Sequence, residues 1–238
     1  LIPHYDLAPH KLLSFMYDKF RPCFQQQILG NAGAMEEFWS GMLDDDPRLI
    51  QLVKDHPDYK KKCVPIIIHG DGVPCTNNHS LDAISFESIL AKRGMGNQCS
   101  TLDYIFFITG LFTQTIDSEN TNGLGLTKVA MWKLVVHSLK ACYYGHWPQK
   151  DPDGNNFVGR TLNSKKIGDE IMGGYVLVPW IIKGDMDFQT NHFEFPGHRT
   201  SDHPCPCCPC NKVANSQMAW SNFNPDAEWM SKGLATFE

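Results

Sequence analysis

The sequence lacks any run of about 18 consecutive apolar residues, the length that a membrane-spanning helix requires. It has no signal-peptide pattern and begins at Leu1, so we expect a fragment of a longer chain. An excess of positive charge is also missing. The net charge of -5 argues against a protein that coats nucleic acid, but it leaves room for an enzyme that acts on nucleic acid.

The nine cysteines lack the even spacing of a disulfide scaffold. Five are scattered and four lie within residues 205–210, which predicts a reduced intracellular protein with one local metal site. Signatures of covalent and nucleotide chemistry are missing too. No Gly-x-Ser-x-Gly elbow occurs, and Gly94-Met95-Gly96 lacks the strand and helix that surround a phosphate loop.

What is present is a globular composition, 42% hydrophobic over 238 residues, enough for one sizeable core. A helical region is predicted over residues 1–62. Apolar residues recur at steps of three and four from Lys11 to Leu29, with Pro22 expected to bend or split the helix. Asp46-Pro47 is typical of a helix start. Lys60 to Lys62 favour a solvated linker over a DNA-binding patch.

The next segments predict one α/β sheet. Strands are expected at 64–68, 81–87 and 102–112, a helix at 127–144 and a further strand at 175–182. The first strand is expected to stop at Gly70-Asp71-Gly72, and the last closes with Gly184-Asp185. A strand that follows a helical crossover usually returns parallel to an earlier one. We therefore predict that Asp71 and Asp185 meet at one edge of the sheet.

Carboxylates at strand ends suit a hard cation such as Mg²⁺ or Mn²⁺. Two such ions stabilise the attacking and leaving oxygens of a phosphoryl displacement. Asp187 is a rival or helper for Asp185, and His69 is interpreted as a strand-end histidine. The alternative interpretation is that each Gly-Asp pair is an ordinary turn.

This pattern resembles the RNase H-like core of DDE/D transposases and integrases over residues 64–195. The wider chain is similar to dispersed, multicopy transposase-like proteins of protists. The residues that carry this similarity are Phe38-Trp39, Tyr143-Tyr144-Gly145-His146-Trp147-Pro148, Phe188-Gln189 and the cysteine cluster. The resemblance implies three antiparallel strands, a helix and a parallel fourth strand. Like transposases and unlike ribonucleases H, the chain has no Asp or Glu on the helix at 127–144. The family's third acid has only Glu228 and Glu238 as candidates.

A Cys/His-rich segment at 196–212 predicts a structural zinc site. Cys207, Cys210 and His203 are the preferred ligands, with Cys205 or His198 as the fourth, and Cys205 with Cys208 forms an overlapping alternative. Many transposases similarly carry a zinc-binding insertion between the second and third acids. A Pro/Cys surface loop without metal is the other interpretation.

These patterns divide the chain into a helical region at 1–62, a partial RNase H-like core at 63–195, the Cys/His knuckle at 196–212 and a final segment at 213–238. The leading hypothesis is a transposase-like, metal-dependent DNA strand cleavage and transfer core from a mobile element. The alternatives are an inactive, zinc-containing binding module on the same scaffold and an unrelated α/β metal hydrolase. We predict DNA as the partner, no membrane, a nuclear location and compatibility with an oligomer.

Overall fold

The computed structural model describes residues 7–76, 79–91, 104–112, 125–193, 195, 202–203, 210–213, 216–224 and 226–231. The chain divides into two compact units. The first comprises Leu1–Ile116 with Val129–Lys183, and the second comprises Asp117–Lys128 with Gly184–Glu238. Within the described part of the chain, no helix combines the length and the apolar character needed to cross a bilayer.

Short helices open the first unit, where the sequence predicts them. They are α1 (Pro9–Lys19), α2 (Arg21–Phe24), a π-helical turn (Gln25–Leu29), α3 (Ala34–Ser40), α4 (Pro47–Asp55) and α5 (Tyr59–Lys62). Pro22 lies in the first turn of α2, just after the break at Phe20. The Asp46 carboxylate accepts the Arg48 N–H at 2.9 Å and caps α4. Lys60 to Lys62, predicted as a solvated linker, belong to the helical turn α5, which has no buried residue.

The remaining elements alternate between strand and helix. They are β1 (Cys63–Thr76), β2 (His79–Ser88), β3 (Phe106–Phe112), α6 (Leu126–Tyr144), α7 (Leu162–Lys166), β4 (Val176–Gly184), α8 (Met186–Phe193) and α9 (Glu228–Ser231). The sheet has the order β3-β2-β1-β4. Its first two pairings are antiparallel and the pairing of β1 with β4 is parallel. The prediction of an α/β fold with a mixed sheet is confirmed at this level.

The predicted end of the first strand is wrong. β1 does not stop at Gly70-Asp71-Gly72 but continues to Thr76, because its ladder with β2 extends through Pro74 opposite Ser80. Asp71 therefore lies inside the strand, opposite Ala83. The apolar run ends at Ile68, but hydrogen-bonding partners on β2 keep the backbone extended beyond it.

One apolar core joins the helices and the sheet of the first unit. Its largest fully buried side chains include Trp39, Phe24, Phe86 and Trp147. The Trp39 indole N–H donates to the Cys63 carbonyl oxygen at 2.7 Å, which ties α3 to the start of β1. α6 adds a buried face to the same core. The contributing α6 residues are Met131, Val135, Leu139, Ala141 and Cys142.

Candidate functional site

Asp71 presents its carboxylate to solvent from the middle of a long hairpin. Side chains of a strand alternate between the two faces of the sheet, and β1 is regular from Ile66 to Val73. Ile66 and Ile68 are buried on one face, so Asp71 lies on the opposite face with His69. Ladder hydrogen bonds on both sides of Asp71 fix the backbone that carries the carboxylate. The exposed oxygens are suitable ligands for a hard cation.

Asp185 has a structural role that the sequence interpretation missed. It is the first residue after β4, and its Oδ1 accepts the Phe188 N–H at 2.6 Å. The Gln189 N–H donates to the Asp185 carbonyl oxygen at 3.0 Å, so Asp185 is the N-cap of α8. The spacing of an Asp three residues before Phe188, at the start of a helical segment, is the signal that could have predicted this cap.

Capping does not exclude a metal ligand. An ionised carboxylate has about four lone-pair positions, and the hydrogen bond from Phe188 uses one of them. Asp71 belongs to the first unit and Asp185 to the second. The adjacency of the two carboxylates therefore stays a prediction.

The cap makes a testable contribution to stability. We expect Asp185→Ala to lower the free energy of unfolding by about 1 kcal/mol, because the Phe188 N–H loses its acceptor. Asp185→Asn keeps an oxygen at the same position and should retain more than half of this stabilisation. Urea unfolding of both variants, with hydrogen exchange of the Phe188 amide, measures the difference. Equal stability of the Ala variant and the unmodified chain contradicts the capping role.

The predicted third acid has no support in the described part of the chain. There, no group of three or more His, Cys, Asp or Glu side chains is arranged to hold a metal ion. Asp187 is exposed in the first turn of α8, and Glu228 begins the short helix α9. Glu238, the other predicted candidate, lies outside the described residues.

The predicted zinc segment is described only at its ends. His203 and Cys210 are close, since His203 Nδ1 and the Cys210 carbonyl oxygen are 3.2 Å apart. The Lys212 N–H donates to the Asp202 carbonyl oxygen at 2.8 Å. The other proposed ligands lie outside the described residues, namely His198, Cys205, Cys207 and Cys208.

A buried histidine–serine pair also occurs in the first unit. His10 Nδ1 and Ser138 Oγ are 2.7 Å apart, and the His10 backbone N–H donates to the same oxygen at 3.1 Å. Only 3% of His10 and 2% of Ser138 is exposed to solvent. A nucleophile must reach its substrate, so this pair functions as a polar connection between α1 and α6.

Comparison with known proteins adds no relative. No protein-family model, curated protein sequence or solved structure matches this chain. The functional argument therefore depends on the residues and the fold themselves.

Proposed function

We propose that this chain is a transposase-like core that cleaves and transfers DNA strands with the help of Mg²⁺ or Mn²⁺. The observation that carries the proposal is the order of the elements. Three antiparallel strands, the helix α6 and a fourth strand parallel to β1 follow one another along the chain. This is the order of an RNase H-like fold. Asp71 lies on β1 and Asp185 follows β4, the two strands on which that fold carries its first two acids.

The side chains fit the cation that this function requires. Mg²⁺ prefers a few carboxylate oxygens and completes its shell with water and substrate phosphate oxygens. Asp71 and Asp185 are both exposed and offer such oxygens. Two protein carboxylates are compatible with this preference.

Each residue has a definite task in the proposed reaction. The cation, when bound, supplies the charge that stabilises the attacking and leaving oxygens at phosphorus. Asp71 holds its carboxylate on a strand fixed by ladder hydrogen bonds, so it loses little freedom on binding. The hydrogen bond from the Phe188 N–H to Oδ1 orients the Asp185 carboxylate. In strand cleavage water attacks phosphorus, the P–O3′ bond breaks, and the products are a 5′-phosphate and a free 3′-hydroxyl. In strand transfer a DNA 3′-hydroxyl attacks phosphorus, and the P–O3′ bond of the target strand breaks to release its 3′-hydroxyl.

Nicking of supercoiled plasmid DNA tests this function directly. We expect Mn²⁺-dependent nicking by the unmodified chain, and a loss of roughly a hundredfold in Asp71→Asn and Asp185→Asn, because each removes a ligand charge. Both substitutions preserve side-chain volume, and Asp185→Asn preserves the capping oxygen. The exposed carboxylate Asp44, which follows α3, provides the control, and Asp44→Asn should nick at the normal rate.

Two outcomes contradict the catalytic assignment. One is nicking that survives both Asp→Asn substitutions, which would identify a contaminating nuclease or other residues. The other is the absence of nicking from a folded, metal-loaded chain. That result favours the second candidate, a non-catalytic binding module on the same scaffold. The observation behind this candidate is that the described residues contain no metal-binding group of three or more His, Cys, Asp or Glu side chains.

A further inference from the structure

Two tyrosine rings of the first unit each lie against a positively charged side chain. The Arg21 guanidinium carbon lies 3.3 Å from the centroid of the Tyr17 ring, and Lys62 Nζ lies 5.3 Å from the centroid of the Tyr175 ring. Both rings are half-buried and both cations are exposed. We call these four residues the cation–tyrosine surface. They come from α1, α2, α5 and the turn before β4, so the fold brings them together from distant parts of the chain.

The turn Gly173-Gly174 joins the two halves of this surface. Both glycines have positive φ, 58° and 85°. A Cβ atom on Gly173 would overlap the Tyr17 hydroxyl, and one on Gly174 would lie 3.3 Å from Lys62 Nζ. The Tyr17 hydroxyl and the Lys62 ammonium therefore both lie against one turn. Glycine at these positions allows that approach, because a larger residue would displace one side chain or the other.

A buried ring supports the surface from below. Phe24 is fully buried, and its ring centroid lies 5.3 Å from that of Tyr17 and 6.4 Å from that of Tyr175. Aromatic contacts of this kind hold both tyrosines in place. The cations rest on rings whose own positions are fixed by the core, so less side-chain entropy is lost when they bind a ligand.

The charges of this surface are available to an external anion. In the described part of the chain, neither Arg21 nor Lys62 forms an ion pair with a carboxylate, whereas Asp18 on the same helix as Tyr17 is paired with Lys166 at 3.5 Å. Lys61 adds an exposed positive charge next to Lys62. The surface is locally positive on a chain whose net charge is -5.

We propose that the cation–tyrosine surface binds the phosphodiester backbone of DNA. A guanidinium that stacks on a ring keeps its in-plane N–H donors directed outward, in the planar arrangement that matches phosphate oxygens. Lys62 supplies a second, more mobile point charge, and the tyrosine edges offer apolar contact to sugar or base. The choice of DNA as the polyanion rests on the proposed function, but the residues are distinct from Asp71 and Asp185. The surface grips substrate and takes no part in the chemistry.

Binding measured without metal separates this inference from catalysis. The probes are fluorescein-labelled oligothymidine and a labelled duplex, titrated with the full chain in EDTA over a series of KCl concentrations. We expect the double variant Arg21→Gln/Lys62→Gln to bind oligothymidine at least about tenfold more weakly at low salt. The slope of log K against log salt should fall by about 1.4, or about 0.7 for each lost phosphate contact. Because no metal is present, the affinity is measured independently of strand cleavage, and the comparison holds whatever the result of the nicking assay.

A matched pair of lysines provides the control. Lys54 on α4 and Lys140 on α6 are exposed, and Lys54→Gln/Lys140→Gln removes the same charge from other surfaces. We expect this control to keep most of the affinity. Arg21→Lys retains the charge but loses the planar donor fork, so a partial loss of affinity supports direct phosphate contact. Thermal unfolding verifies that each variant is folded.

The outcomes are decisive in both directions. A loss confined to the cation–tyrosine variants, on either DNA probe, supports the inference. Equal losses in both double variants would show that net charge alone governs binding, and the inference would be wrong. Unchanged affinity in Arg21→Gln/Lys62→Gln, or an unmodified chain that binds neither probe, also overturns it.

Discussion

Gly30→Ala is expected to lower the free energy of unfolding by at least about 3 kcal/mol. Gly30 ends the π-helical turn with φ 70° and ψ -147°, a backbone conformation that essentially only glycine adopts and that costs an L-residue about 1–3 kcal/mol. The larger penalty comes from contact. A Cβ atom at this position would overlap the Leu90 carbonyl oxygen, and the carbonyl carbon would lie at 2.9 Å. Because that obstacle is backbone rather than a flexible side chain, the two segments would have to move apart.

Separation of these segments would also break hydrogen bonds. The Ser88 hydroxyl donates to the Ile28 carbonyl oxygen at 2.6 Å, and the Leu90 N–H donates to Ser88 Oγ at 3.1 Å. Ser88 is 1% exposed, so a displaced partner would leave buried polar groups unsatisfied. The substitution therefore acts on the connection between the π-helical turn and the end of β2.

Gly33→Ala is the control for this prediction. Gly33 has φ 84° and ψ -13°, in the left-handed helical region, and a Cβ atom there meets no atom of the described residues within 4 Å. The control should lose only about 1–2 kcal/mol, the cost of the backbone conformation alone. Urea unfolding monitored by tryptophan fluorescence gives both values. Losses of equal size in the two variants would show that the approach of Leu90 to Gly30 is unimportant for stability.

Acidification is expected to remove about 3 kcal/mol of stability through His10 between pH 6.5 and pH 4. Burial of the ring, with the nearby charges of Lys11 and His137, lowers the pKa of His10 from 6.5 to about 3. The native ring therefore stays neutral, while the unfolded chain takes up a proton below pH 6.5. The contribution of neutral His10 to the free energy of unfolding is fully present above pH 6.5. It is lost at about 1.4 kcal/mol per pH unit as the pH falls toward 3.

The surroundings of His10 explain why it resists protonation. Ser138 Oγ accepts the His10 backbone N–H, so the Ser138 hydroxyl can donate its proton to Nδ1. The Trp147 ring stands at right angles to the imidazole, with centroids 5.0 Å apart. The His10 Nε2 atom has no hydrogen-bond partner among the described residues. An imidazolium at this position would be poorly solvated.

The difference between two stability–pH curves measures this effect. His10→Gln keeps an acceptor for the Ser138 hydroxyl but cannot titrate. Between pH 6.5 and pH 4, its free energy of unfolding should fall less steeply than that of the unmodified chain. The two slopes should differ by about 1.4 kcal/mol per pH unit, which corresponds to one proton. Identical slopes for His10→Gln and the unmodified chain would rule out the buried neutral histidine as the cause.

Elements with strong local signals were predictable from the sequence. Pro22, Asp46-Pro47 and Gly145 mark helix ends that the structure places within a few residues of the prediction. Gly145 adopts φ 77° immediately after α6. Local chemistry decides these boundaries, because proline, capping carboxylates and positive-φ glycine act within one turn of the chain.

The two aspartates show where sequence patterns are insufficient. The extension of β1 past Asp71 depends on the partners that β2 supplies, and no local pattern encodes that pairing. Asp185 was predicted to be a metal ligand because it is a carboxylate at a strand end. A carboxylate in that position also serves as a helix N-cap, so the residue type alone could not separate the two roles. The cation–tyrosine surface could not be predicted from the sequence either, because Tyr17 and Tyr175 become neighbours of one turn only after folding.

The regular pairing of β1 with β2 also limits how the gene can change. Because successive side chains alternate between faces, the loss of one residue between Ile68 and Asp71 would turn the carboxylate toward the face that buries Ile66. Loss of two residues would preserve the outward direction and shift the position along the strand. Lineages that keep an outward acid here should therefore differ only by even numbers in the count of residues between the buried isoleucine and that acid, and odd changes in this count should coincide with loss of the acid.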